Sequence, residues 1–297
     1  MNYTIHQLQV FLKVVQHQSV TKAAEDLYMT QPAASIQLKN FQDQFDIPLT
    51  EVIGRQLFVT DFGREIAAIA ERVMDELGAI QYKTDAYKGI LTGKLRVSSA
   101  STGKYVIPFF LAGFMNQHVG VDLLLDVTNK TKVVESLRRN EIDFAMVSVL
   151  PDNVPVEEEL LIENKLYLFG HQPEKTDDTP LIYREEGSAT RAAMESYFST
   201  PSRGHRKRME LTSNEAVKQA VLAGLGNSIM PLIGLHNELE NQQLFVLPSP
   251  GLPITTEWRL VWLKGKKLSP IAQAYLDYVR QTKQQVLEEN FAWYQSY

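Results

Sequence analysis

The chain has 297 residues, 44% of them apolar, and a formal net charge of −5, which suits a globular protein of about two domains. It contains no cysteine, so disulfides, thiolate nucleophiles and thiol-based peroxide sensing are excluded. No run of about 18 apolar residues and no basic, then apolar leader is present, and the expectation is a cytoplasmic protein with no membrane partner.

In chain order, Leu8, Phe11, Leu12 and Val15 form the apolar stripe of a first helix. Residues 19–38, SVTKAAEDLYMTQPAASIQL, then have the spacing of a helix-turn-helix. Thr21 is the expected N-cap of a helix from about Lys22, with Ala23, Ala24 and Leu27 on one side; the alanines allow close approach of a second helix. Tyr28, Met29 and Thr30 break the period. Thr30 can cap the next helix, and Pro32 falls in its first turn, where a missing N–H is harmless. Its apolar set is Ala33, Ile36 or Ala34, Leu38 and Phe41. Gln31, Ser35, Gln37 and Lys39 are left outside to bond phosphates or base edges in a major groove. Any αα-hairpin with alanines at its crossing would share part of this pattern. Residues 47–60 read as a turn and a short hairpin or wing, with Arg55 at its tip for a phosphate or minor groove.

These residues resemble the LysR-type transcriptional regulators. The resemblance lies in LQVFLKVVQHQSVTKAAEDLYMTQPAASIQLKNFQ, then IPL, GRQ and VTDFG at the family's intervals, and extends over nearly the whole chain. It implies an all-α winged helix-turn-helix, a long linker helix, and an α/β effector-binding region of two subdomains resembling a periplasmic solute-binding protein. Implied partners are double-stranded DNA, a small metabolite, further copies of the chain as homodimer or homotetramer, and RNA polymerase. Two departures remove charge: Ile36 stands where the family usually has a basic residue, and Val52 replaces another ahead of the wing glycine. Residues 1–63 carry four Lys or Arg against six Asp or Glu. Such a domain gains little from counterion release per copy, so either several copies bind together or folding concentrates its cations. The alternative is a small-molecule-binding module that has lost sequence-specific DNA binding.

Residues 64–88 read as one helix. Ile66, Val73, Leu77, Ile80, Thr84 and Tyr87 recur at steps of three and four, the pattern of a dimerisation seam. Beyond the glycines near 89–93 the signal becomes α/β, with strands at 95–97, 121–127 and 142–147 and helices at 106–114 and about 131–139. Strands alternating with helices predict parallel pairing, with ligand contacts at the strands' C-terminal ends. Ser99, Ser101, Thr102 and Thr128 occupy those ends, as anion contacts or as plain helix caps.

The second half repeats the grammar. Strands at 166–170 and 181–183 precede REEGSATR, in which Gly187, Ser188, Thr190 and Arg191 form either an anion cradle or an ordinary capped helix start before a helix at about 192–198. REEGSATRAAMESYF also resembles the LysR branch that includes regulators of carbon fixation and sulfur assimilation, which implies a small anionic effector. A strand at 209–211, a helix at 215–222, a strand at 258–263 and a closing helix from Pro270 to about Glu289 complete the chain. GLGNS follows a helix rather than opening one and is read as a turn, not a nucleotide site. The basic residues Arg203, His205, Arg206, Lys207 and Arg208 read as a solvated loop. The six histidines show no metal-ligand spacing, and GxSxG and P-loop motifs are absent, so no catalytic residue, metal or cofactor is expected. The predicted division is 1–63, 64–88 and 89–297. Within the last part, subdomain I spans about 93–163 and 268–297 and subdomain II about 164–267, with crossings near Glu163 and residues 264–270.

Overall fold

A computed structural model describes residues 2–54, 56–87, 91–174, 178–199 and 206–297, without the side chains at 79 and 81–87. The chain forms two compact units, 1–90 and 91–297. Among the described residues no helix is long and apolar enough to cross a membrane.

The first unit contains α1 (Ile5–His17), α2 (Val20–Asp26), α3 (Gln31–Gln42), the hairpin β1 (Thr50–Ile53) and β2 (Gln56–Val59), and α4 (Asp61–Tyr87). A capping box starts α1: the Thr4 hydroxyl accepts from the Gln7 amide, and the Gln7 side chain accepts from the Thr4 N–H at 2.9 Å. Val10, Phe11 and Val14 from α1 pack on Ala23, Ala24, Ala34, Leu38 and Phe41, which gives the three helices one core. The cap of α2 is Ser19, whose hydroxyl accepts from Lys22 N, not Thr21. Thr21 is exposed within the helix, because the chain turns helical two residues sooner and both hydroxyls suit a cap. The turn into α3 passes through Tyr28 at φ 53. At the other end, the Thr60 hydroxyl donates to Pro48 O and accepts from Gly63 N, tying the hairpin to the first turn of α4. A Cβ at Gly63 would collide with the Leu49 carbonyl oxygen, so the hairpin seats directly on backbone there.

The second unit starts with β3 (Gly93–Ala100), α5 (Ile107–Gln117), β4 (Val121–Thr128), α6 (Lys130–Arg138) and β5 (Phe144–Val147). It continues through β6 (Val156–Gly170), β7 (Leu181–Arg184), α7 (Ala189–Phe198), β8 (Arg208–Leu211), α8 (Asn214–Leu222), β9 (Ser228–Pro231), α9 (His236–Glu240), β10 (Phe245–Val246), β11 (Ile254–Leu263) and α10 (Pro270–Phe291). β3, β4 and β5 pair in parallel through helical crossovers, as expected. The second half departs from that expectation. There β6 pairs antiparallel with β9, β10 and β11 in a seven-stranded sheet, while β7 and β8 pair in parallel.

β6 begins at Val156, well before the predicted Leu166. Its acidic stretch Glu157–Glu159 looks like loop in isolation but is satisfied by Trp262, Arg259, Arg280 and Lys283. β6 and β11 run side by side from Val156–Leu263 to Leu166–Ile254, with a register shift at Trp258/Arg259. β5 joins β11 on one side of that shift, at Arg259–Val261, and β9 joins β6 on the other, at Leu166–Phe169. The pair β6/β11 therefore runs past both sets of neighbours, β5 on one side of Trp258/Arg259 and β9 on the other.

Candidate nucleic-acid interface and effector cleft

The buried side of α3 carries Ala34, Leu38 and Phe41, and the Phe41 ring centre lies 5.1 Å from those of both Phe11, at a tilt, and Phe45, edge to face. Ile36 does not join that set; it is 57% exposed. Thr30 is the N-cap but makes no side-chain cap bond, and Pro32 sits in the first turn. Gln31 donates to the Ser35 hydroxyl at 2.8 Å, so these two polar groups are held together along one flank. Gln37 is half-buried on the other flank, and Lys39 is exposed. Arg55 lies outside the described residues.

Lys13 is drawn back onto Asp26 at 3.1 Å, alongside the His17 ring nitrogen at 2.7 Å. The bond from His17 and then that from Lys13 hold the Asp26 carboxyl below its ordinary 3.8. These contacts staple α1 to α2 and remove one cation from the free surface.

On α4, Ala67 and Ala70 are buried, and Ile66 packs on the domain's own core. Ile69, Val73 and Ile80 are exposed and, with Arg72, Glu76 and Leu77, line a shallow groove of about 380 Å³. The apolar stripe thus uses Ile69 in place of the expected Ile66. The side chains of Thr84 and Tyr87 lie outside the described residues.

In the second unit, the strand-end residues separate into two groups. Ser99 is fully buried and its hydroxyl donates to Ala100 O at 3.1 Å, inward of the cleft. Thr102 is buried and Thr128 half-buried, paired in register with Ala100. Ser101 alone reaches across: its hydroxyl accepts from Arg184 Nη2 at 3.0 Å and Asn214 Nδ2 at 3.4 Å. Arg184 is 4% exposed and holds the Glu185 carboxylate with two bonds of 2.7 Å, while its Nη1 donates to Asn214 Oδ1. This guanidinium joins the ends of β3, β7 and α8. A sequence reading places it in a loop; its position as the last residue of a short buried strand is the signal for its role.

Beside that bridge, α6 and residues 149–154 face residues 186–195 across a cavity of about 840 Å³. Gly187, Ser188 and Arg191 line it; Ser99, Ser101, Thr102, Thr128 and Thr190 do not. Gly187 has φ 81, and a Cβ on it would come 2.7 Å from Thr131 Oγ1, so the lobes nearly touch there. Ser188 caps α7 by accepting from Arg191 N, and Asn129 caps α6 by accepting from Lys132 N at 3.1 Å. Both helix N-termini therefore border the space. Thr190 is buried in the first turn of α7.

Arg191 does not offer a free fork, as its guanidinium is spent on Glu210 at 2.6 Å, Glu195 at 3.0 Å and the Arg184 carbonyl. Glu210, nineteen positions away, arrives beside it through the β7/β8 pairing. Arg138 pairs with Glu135. Among the described residues Lys130 donates to Leu150 O at 3.4 Å and makes no ion pair, unlike the other lining cations Arg138 and Arg191. Of the basic run, Arg203 and His205 lie outside the described residues, Arg206 packs over the Phe198 ring and Arg208 over the Tyr183 ring at 4.2 Å.

Residues 5–64 match the bacterial regulatory helix-turn-helix proteins of the lysR family, and residues 88–284 match the LysR substrate binding domain. The chain belongs to the LysR family. A RuBisCO operon transcriptional regulator of Allochromatium vinosum is 37% identical over 290 residues, which cover 94% of this chain and 96% of that protein. The transcriptional activator CmpR of Synechocystis is 35% identical, covering 94% and 95%. Among solved structures, the Synechocystis PCC6803 CcmR regulatory domain in complex with 2-PG is 31% identical, with a TM-score of 0.59 over 65% of this chain and 98% of that one. Full-length CbnR complexed with its target DNA shares the fold, at 19% identity and a TM-score of 0.70 over 94% and 99%. This LysR-type chain is a DNA-binding transcriptional regulator with a two-lobed effector domain.

Proposed function

We propose that this regulator responds to a small anionic metabolite held between the two lobes, and that the anion changes the geometry of DNA bound by a homodimer or homotetramer. The observation that carries the reading is the cavity bordered by two helix N-termini and by Lys130, next to the buried Arg184–Ser101 bridge. Peptide dipoles and free N–H groups at both helix starts favour negative charge, and Lys130 supplies a counterion. Gly187, Ser188 and Lys130 are the assigned contacts. Arg184 and Ser101 connect the lobes, and Thr102, Thr128 and Thr190 support their ends. The ligand must prefer one arrangement of the lobes for its binding to shift the other site.

Residues 1–63 read the duplex through Thr21, Thr30, Gln31, Pro32, Ser35, Gln37 and Lys39, with Arg55 on the backbone. Residues 64–88 pair two copies, which offsets the poor charge balance. The protein acts in the cytoplasm and has no catalytic role. The 2-PG bound to the CcmR domain supplies the first compound to try, with inorganic phosphate as the second. Full-length protein should gain thermal stability with 2-PG or phosphate in a saturable way, and Lys130→Met should remove most of that gain. A Lys130→Met protein stabilised as strongly as wild type would refute the site.

A further inference from the structure

At about 100° per residue, Ala34, Leu38 and Phe41 share the inner side of α3, and Ile36 stands directly opposite them. Pro32, Lys39 and Asn40 flank it, all exposed. The packing of the domain gives Ile36 no role. Nor is it a lone exception, because Val52 and Ile53 on β1 are 67% and 62% exposed. Meanwhile Lys13 is committed to Asp26, and Lys22 and Lys39 are the described cations of residues 2–54 without an ion pair. The outward surface of this domain is therefore more aliphatic than cationic.

A helix-turn-helix sets the outer face of its second helix into the major groove. The floor of that groove presents donors and acceptors, and one apolar group, the thymine 5-methyl. A guanine or cytosine beneath Ile36 would lose water from a polar edge with nothing to replace it. Thymine would bury methyl against methyl. We propose that Ile36 packs on a thymine methyl in each half-site and so selects A·T at that position; this rests on the DNA-reading role of the family and adds an apolar determinant to it. Sequence preference would then come from shape and apolar contact more than from phosphate charge.

The test uses full-length protein and the duplex it prefers, recovered by selection from a random pool. Each thymine is replaced in turn by deoxyuridine, which removes only the methyl. One thymine per half-site should give roughly a fourfold loss of affinity, the worth of one buried methyl-sized group. Ile36→Ala should bind the thymine and deoxyuridine duplexes equally at that position, whereas Ile36→Val should keep the difference. Ile36→Arg should lose it and steepen the salt dependence by about one unit for each half-site bound. An unchanged unfolding midpoint confirms that these exposed substitutions leave the fold alone. Insensitivity at every thymine, or a methyl effect that survives Ile36→Ala and so belongs to a neighbour such as Pro32, would overturn the proposal. Selection that returns no preferred duplex would instead overturn the DNA-reading role beneath it.

Discussion

On α3 the outward face is centred on the exposed Ile36, and Lys39 is the helix's single cation. In the second unit the cleft does the reverse: it buries Arg184 and gives every donor group of that guanidinium a partner in Glu185, Asn214 or Ser101. The first region exposes an apolar group that its own fold does not need. The second hides a charge that its fold cannot release without loss. Changes on α3 should therefore alter recognition at constant stability, and changes in the cleft should alter both together.

The largest expected effect sets that contrast within one helix. Phe41→Ala removes the ring on which Phe11 and Phe45 converge and should cost about 3–5 kcal/mol by denaturant unfolding. Ile36→Ala, on the same helix, should stay within about 0.5 kcal/mol. If the two losses are similar, Ile36 has a packing role and the contrast fails.

Next comes Arg184→Met, which leaves the Glu185 carboxylate without its fork and should cost about 3 kcal/mol, along with the stabilisation by 2-PG. A gain in stability would show that the buried pair serves only the ligand. Ser101→Ala should cost less, about 1 kcal/mol, since one hydroxyl acceptor is lost and Arg184 keeps its other partners. Unfolding curves on the same samples check both.

The smallest effect is a pH dependence in the first unit. Asp26 has its folded value depressed below 3.8, chiefly by the bond from His17 and then by that from Lys13. Its contribution is therefore present above the ordinary value and fades as pH falls through the lower, folded one. Asp26→Asn should flatten the acid limb of the stability curve while leaving the second unit's transition where it was.

The helices of the first unit are legible because apolar residues at helical spacing need no distant partner, but the face of α1 that packs inward is Val10, Phe11 and Val14, and of the expected stripe Leu8, Phe11, Leu12 and Val15 only Phe11 is fully buried. The start of α2 lies two residues before the expected one because Ser19 and Thr21 offer the same hydroxyl. What sequence could not show depended on pairing across the chain. Glu157–Glu159 look solvent-facing until Arg259, Arg280 and Lys283 are beside them. Arg191 looks available until Glu210 is placed on it. Of the 187–190 segment, Gly187 and Ser188 line the cavity and Thr190 does not, while Lys130, far away in sequence on α6, is brought opposite them only by folding.

The coupling of cleft to DNA is tested most directly by energy transfer between dyes on the two ends of the selected duplex, with full-length protein bound and 2-PG added to saturation. The account predicts a change in transfer for wild type and none for Lys130→Met at the same 2-PG concentration, with both proteins still bound. An unchanged signal in wild type while 2-PG stabilises the protein, or the same change in the variant, would contradict it.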